Sequence, residues 1–197
     1  MKPSAMLALC LLGAAAAMPA SAITTIYTAT LSGSAESPPN ASPGTGNATV
    51  TVDTTANTME VQVTFANLTT PDTAAHIHCC TASPGTGTAG VATVTPTFTG
   101  FPGGVTSGTY DHTFDMTLAS SYNPAFVTAN GGTPASAFAA LVAGLNAGDA
   151  YLNIHTTQFP GGEIRGFLNA VPEPETYALM GVGLGLVGWA TRRRRVH

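Results

Sequence analysis

His76 and His78 flank Ile77, and strand alternation puts both imidazoles on one face with Ile77 on the other. In Tyr151-Leu152-Asn153-Ile154-His155 the same alternation groups Tyr151, Asn153 and His155 against Leu152 and Ile154. If Ile77, Leu152 and Ile154 face a core, all three imidazoles face away from it. Two histidines at i, i+2 on one strand and a third from a neighbouring strand can form a three-nitrogen site for copper or zinc. Asp72, Asp149 or Glu163 could add an oxygen ligand. The competing reading has His76, His78 and His155 making hydrogen bonds that tie loops to the sheet. His112 shares a strand face with Tyr110, Phe114 and Met116 and reads as a packed core residue, and His197 lies in the terminal tail.

Arg165 follows the turn Pro160-Gly161-Gly162 and shares a face with Glu163. It is expected either to pair with Glu163 or a facing Asp, or to clamp backbone carbonyls at one end of the fold. An exposed pair would contribute only about 0–1 kcal/mol, so the clamp is the more useful structural role. Cys79 and Cys80 are adjacent and cannot staple distant strands. They are left as a vicinal disulfide, a link between chains, a metal site or two thiols packed at a strand end.

The elements that must position these residues are short strands between turn residues. Strands are expected at Thr24–Leu31, Asn47–Asp53, Met59–Phe65, Thr73–Cys79, Val91–Phe98, Gly108–Leu118, Ala150–Thr156 and Glu163–Leu168. Phe138, Leu141, Val142 and Leu145 instead follow helical spacing, with Thr133 as N-cap, Pro134 at the first helical position and Gly148 as the stop. The pattern predicts an all-β fold, an immunoglobulin-like antiparallel β-sandwich with one short helix. The hexapeptide Ala-Ser-Pro-Gly-Thr-Gly occurs at 41–46 and 82–87, each copy read as a turn leading into a strand. Neither is followed by the Lys-Ser/Thr of a phosphate loop.

Composition and the two ends fix the compartment. Between Ile23 and Val171 the chain carries eight acidic residues against the single base Arg165, a net charge near −7. Such a surface repels phosphate backbones, which excludes nucleic acid as a partner. At the start, Lys2, an apolar run from Ala5 to Met18 and the small residues Ala20-Ser21-Ala22 read as a secretory signal helix removed after Ala22. Cys10 is not read as a lipid attachment site, because Leu9 before it is too bulky. At the far end, Val171-Pro172-Glu173-Pro174-Glu175 forms a stiff hinge before the apolar stretch Tyr177 to Ala190 and the cluster Arg192 to Arg195. As a transmembrane helix that stretch covers roughly 21 Å at about 1.5 Å per residue, marginal for a bilayer core of about 30 Å. The arginines are expected to stay cytoplasmic, which puts the preceding domain on the other side.

The tail resembles the PEP-CTERM sorting signal: a Pro-Glu-Pro motif, a short Gly-rich apolar helix and a basic end, in that order. The resemblance implies an exosortase-type sorting machinery as partner, transient anchoring in the inner membrane with the domain periplasmic, and cleavage near Pro172–Pro174. The product then passes to the cell surface or the extracellular space. Ala75-His76-Ile77-His78, the Ala- and Leu-rich helix, Ala150–Thr156 and Pro160–Gly166 together resemble the CHRD domain. Where that family continues His-x-His with Gly-Pro, this chain has Cys79-Cys80.

The expected organisation is a signal peptide at 1–22, a CHRD-like β-sandwich at 23–170 and a sorting tail at 171–197. No nucleophile elbow, zincin helix or Ser-His-Asp order appears, so no enzymatic activity is expected. The leading expectation is a non-enzymatic binding or structural module of the envelope or extracellular matrix. The alternative is an extracytoplasmic protein that binds copper or zinc through His76, His78 and His155, with redox activity left open.

Overall fold

The apolar and polar residues of Thr58–Ala66 (β3) alternate, and in the computed structural model every second side chain, Met59, Val61, Val63 and Phe65, is buried. The structure describes residues 24–172 and the single position Leu184. The expected signal helix at 1–22 and the transmembrane helix at 177–190 lie outside the described residues, Leu184 apart. Among the described residues no helix is long and apolar enough to cross a membrane.

Strand β3 forms a hairpin with Thr45–Asp53 (β2), in register from Thr45↔Ala66 to Asp53↔Thr58. The turn is held locally: one Asp53 carboxylate oxygen accepts from the backbone N–H groups of Thr55 and Ala56, at 2.8 Å each. Asn57 closes it with a positive φ of 55°, a conformation Asn tolerates better than most residues. Thr24–Ser32 (β1) pairs antiparallel with β2 along its whole length. Gly108–Asp115 (β5) pairs with the outer edge of β3. A second leaf contains Asp72–His78 (β4), Tyr151–Thr156 (β6) and Ile164–Phe167 (β7), all antiparallel.

The antiparallel all-β character holds, but the two leaves are not separate sheets. Ser32 of β1 pairs with Arg165 of β7, which makes one curled sheet in the order β4-β6-β7-β1-β2-β3-β5. Asn169–Ala170 (β8) then adds a short stretch to the same edge of β1. The sheet wraps a single core to which Leu31, Val50 and Val61 contribute from one leaf and Ile77, Leu152, Ile154 and Ile164 from the other.

The expected helix is present as Pro134–Ala147 (here α2) and begins and ends as its sequence requires. Thr133 and Ser136 make a reciprocal capping box, Pro134 opens the first turn, and Gly148 closes the helix in the left-handed region at φ 74°. Phe138, Leu141 and Leu145 carry its buried face into the core. A shorter helix, Pro124–Ala129 (α1), was not expected; Asn123 caps it by accepting from the Ala125 N–H, with Pro124 at its first position.

Val91–Phe98 is not a strand. It runs irregularly along the outer edge of β4, touching it as a ladder only at His78↔Val91. Side-chain hydroxyls replace most of the missing ladder: Thr93 Oγ1 accepts from the Ile77 N–H and Thr97 Oγ1 from the Ala75 N–H. The Ala92 and Phe98 N–H groups donate back to the Ile77 and Ala75 carbonyls. The segment blunts an edge that would otherwise expose unpaired donors and acceptors. It cannot continue as a strand because Pro96 has no N–H to donate. The second Ala-Ser-Pro-Gly-Thr-Gly copy accordingly leads into a loop, whereas the first leads into β2.

Gly166 sits where β7 meets β1, and a Cβ there would collide with the Thr30 carbonyl oxygen and touch the Ala29 side chain. Backbone cannot yield as a side-chain tip can, so Gly166→Ala should destabilise the fold by about 1–3 kcal/mol. The measurement is the urea midpoint, which should fall with an unchanged denaturant slope. An unchanged midpoint would mean that the junction is not tightly packed.

Candidate metal centre

The register of β4 on β6 places the histidines. His78 lies opposite Tyr151, Ile77 opposite Leu152, His76 opposite Asn153 and Ala74 opposite His155. Ile77, Leu152 and Ile154 are fully buried in the main core, so the imidazoles leave the sheet on the other face, as alternation requires. His155 is a diagonal neighbour of His76, a spacing that long side chains bridge. The face is not open to solvent: His76 is 7% exposed, and His78 and His155 are only partly exposed.

Each ring is tethered at the same atom. His76 Nδ1 lies 3.2 Å from the Pro96 carbonyl oxygen, His78 Nδ1 2.8 Å from that of Ala89, and His155 Nδ1 3.0 Å from that of Pro160. A carbonyl only accepts, so Nδ1 carries the proton in all three rings and Nε2 presents a lone pair. His76 Nε2 and His155 Nε2 are 2.9 Å apart. The Nε2 of His78 is buried without a hydrogen-bond partner. One ligand atom from each histidine lies within 4.8 Å of the others.

Two lone pairs 2.9 Å apart repel unless a proton or a cation lies between them. Burial disfavours the proton: it lowers the pKa of His76 to about 3, with the neighbouring His155 and His78 adding to the effect and the Pro96 carbonyl opposing it. Burial likewise lowers His78 to about 4, and it lowers His155. Three neutral imidazoles with fixed tautomers, each with a ligand nitrogen within 4.8 Å of the others, suit copper or zinc, whose bonds to nitrogen are about 2.0–2.1 Å. Backbone carbonyls on the remote ring nitrogens are a common outer shell of such sites. The expected loop-tethering role is therefore met at Nδ1 of each ring and does not account for Nε2.

None of the suggested oxygen ligands joins the cluster. Asp72 Oδ1 accepts from the Val105 N–H. The fully buried Glu163 carboxylate accepts from Ser42, Thr69 and Thr156 and ties the first Ala-Ser-Pro-Gly-Thr-Gly turn to β6. Glu163 is thus not the partner of Arg165 either. Arg165 donates from Nε to the Ala35 carbonyl and from Nη1 to the Gly87 carbonyl, the expected clamp, with Glu36 as its ion-pair partner at 3.8 Å. Its guanidinium lies over the Tyr151 ring at 4.7 Å, and the His78 ring stacks on Tyr151, also at 4.7 Å. His112, expected in the core, is half-buried against Phe114 at one flank of β5.

Sequence reasoning missed Glu36 and the importance of Asn153. Both are buried, and Glu36 Oε1 and Asn153 Oδ1 have no hydrogen-bond partner. Gly162, at φ 131°, passes so close that a Cβ would collide with the Asn153 amide and the Glu36 carboxylate. The alternation of β6 already put Asn153 on the face of His155; nothing in the Pro-rich loop singled out Glu36.

The unfolded chain titrates its histidines near pH 6.5. Between about pH 6.5 and 4 it therefore binds protons that the folded chain refuses, and stability falls as the pH falls. Glu36 acts in the opposite sense. Burial raises its carboxyl to about 7 against the pull of Arg165, so its contribution is present at low pH and lost as the pH rises towards 7. Metal-free protein should show a urea midpoint that drops from about pH 6.5 to about pH 4, and Glu36→Gln should steepen that drop. A flat profile across this window would contradict the burial argument.

Residues 27–168 match the CHRD domain family, and residues 170–195 match the PEP-CTERM protein-sorting motif. No curated protein and no solved structure matches the chain. The CHRD match spans all of the sheet except the start of β1 and the short β8, both helices and the three histidines. The sorting match begins where β8 ends the sheet, and such a motif marks an exported chain processed by an exosortase. By its sequence and the domain that sequence builds, the chain belongs to the CHRD-domain family.

Proposed function

We propose that this CHRD domain works at the cell surface or in the extracellular matrix as a non-enzymatic binding module whose ligand is a copper or zinc ion. His76, His78 and His155 would hold the metal through Nε2, with the fourth coordination position left for water or an exogenous donor. The observation that carries this reading is that three imidazoles bring one ligand nitrogen each within 4.8 Å of the others, with the Nε2 atoms of His76 and His155 2.9 Å apart and every Nδ1 against a carbonyl. A purely structural histidine cluster would satisfy both ring nitrogens, whereas His78 Nε2 is buried and unsatisfied. The missing carboxylate keeps the bound site cationic, since that of Glu36 is paired with Arg165. An anionic fourth donor is therefore favoured over a neutral one.

Purified protein, stripped by chelator and titrated with Zn²⁺ or Cu²⁺, should bind one equivalent. Saturation at about 100 times the dissociation constant should stabilise the fold by about 2.7 kcal/mol. His76→Ala with His155→Ala should abolish both effects. Failure to retain or titrate either metal would end this reading and leave the histidines as loop tethers.

Export has its own test. The tail is proposed to anchor the chain in the inner membrane, domain outward, until an exosortase-type enzyme cuts near Pro172–Pro174. Replacing Pro172, Glu173 and Pro174 by alanine in a host with that machinery should leave the protein in the membrane fraction. Undiminished release would show that the motif is not used.

A further inference from the structure

Cys79 and Cys80 are joined to each other. The stabilisation that a disulfide provides grows with the length of chain it encloses, so a bond between neighbours contributes the least of any pairing. This disulfide also closes no contact between elements. The flanking backbone is held without it, by the Cys79 N–H on the Gly90 carbonyl and the Thr81 N–H on the Asp149 carbonyl.

The two sulfurs differ sharply in access. Cys79 is 5% exposed, whereas Cys80 is exposed. Helix α2 packs on the pair through Gly144, where a Cβ would collide with both sulfurs, so that side is closed. The other side opens on a cleft of about 430 Å³ whose walls include Val91, Asn123, Phe126 and Asn130. That is within the size range of small-molecule sites and far too small to seat a protein surface. Exposed disulfides are the ones that exchange.

We propose that Cys79–Cys80 is a thiol-exchange site at which a low-molecular-weight thiol, entering by this cleft, attacks Cys80. The incoming thiolate forms a bond to Cys80 Sγ; the Sγ–Sγ bond breaks and its electron pair leaves on Cys79 Sγ, which takes up a proton. The product is a mixed disulfide on Cys80 beside a buried Cys79 thiol. Return attack by the Cys79 thiolate on Cys80 Sγ expels the small thiol and restores the starting bond. A second equivalent of thiol instead attacks the mixed disulfide, leaving two cysteine thiols and one oxidised dimer of the small molecule. The site needs no metal, and none of the three histidines is among its lining residues.

The test uses the full chain, folded and freed of metal, with reduced glutathione as the probe. Intact mass should show a gain of one glutathione, and peptide mapping should put it on Cys80, with the folded circular-dichroism signal retained. Cys79→Ser, which leaves the exposed thiol, should gain glutathione at Cys80 from oxidised glutathione, located by peptide mapping because the full chain also carries Cys10. Cys80→Ser, which leaves the buried one, should gain none at Cys79. Ala129→Trp at the cleft mouth should slow the glutathione reaction more than that of mercaptoethanol. Three results would overturn the proposal: an adduct on Cys79, an adduct formed only after denaturation, or exchange with a protein dithiol but with neither small thiol. The wild-type mapping decides the matter even if a cysteine variant fails to fold. Because the protein is metal-free throughout, the outcome is independent of whether the histidines bind metal.

Discussion

The pairing of β4 with β6 is the constraint from which the site follows. Side chains alternate with a period of two, so a slip of one residue would turn Ile77 or Leu152 out of the core and drive imidazoles into it. The burial of Ile77, Leu152 and Ile154 therefore enforces the register, and the register puts His76 opposite Asn153 and one diagonal step from His155. Apolar burial at about 25 cal/mol per Å² thus holds polar groups in place on the opposite face.

That opposite face is itself buried, which is unusual for one side of an antiparallel leaf. Glu36, His76, Asn153 and Arg165 are all among the buried residues. Such a layer is tolerable only where polar atoms find partners, and backbone carbonyls from loops supply most of them. Arg165 reaches the carbonyls of Ala35 and Gly87, and the three imidazoles reach those of Pro96, Ala89 and Pro160. Burial of Arg165 beside Glu36 is easier than burial of either alone, since removing one partner would leave an uncompensated charge. Of the five buried side-chain atoms without partners among the described residues, three, His78 Nε2, Asn153 Oδ1 and Glu36 Oε1, belong to this same layer.

Much of this was legible from residue order. Strand parity separated Ile77 from His76 and His78, and Leu152 and Ile154 from His155, because a half-buried strand writes its faces into alternate letters. Thr133, Pro134 and Gly148 marked the ends of α2, since caps act through the local backbone. Contacts set by chain reversal were less visible. The Ser32–Arg165 pairing that merges the two leaves depends on how β7 approaches β1 and leaves no local pattern. Val91–Phe98 has the composition of a strand, yet Pro96 and the hydroxyls of Thr93 and Thr97 make it an irregular cover. Glu36 was invisible because its partners are distant in sequence.

Residues 87–90 link most of these features without contributing a functional side chain. The carbonyl of Gly87 holds Arg165, that of Ala89 holds His78, and that of Gly90 receives the N–H of Cys79. What matters in this stretch is the spacing of three carbonyl oxygens, so selection there acts on loop length and backbone path. Thr88 and Ala89 could change identity freely among relatives, while a single inserted residue would displace the arginine clamp and one histidine tether together. A search by residue identity would score this loop as unremarkable variation, although the geometry of two sites is written in it.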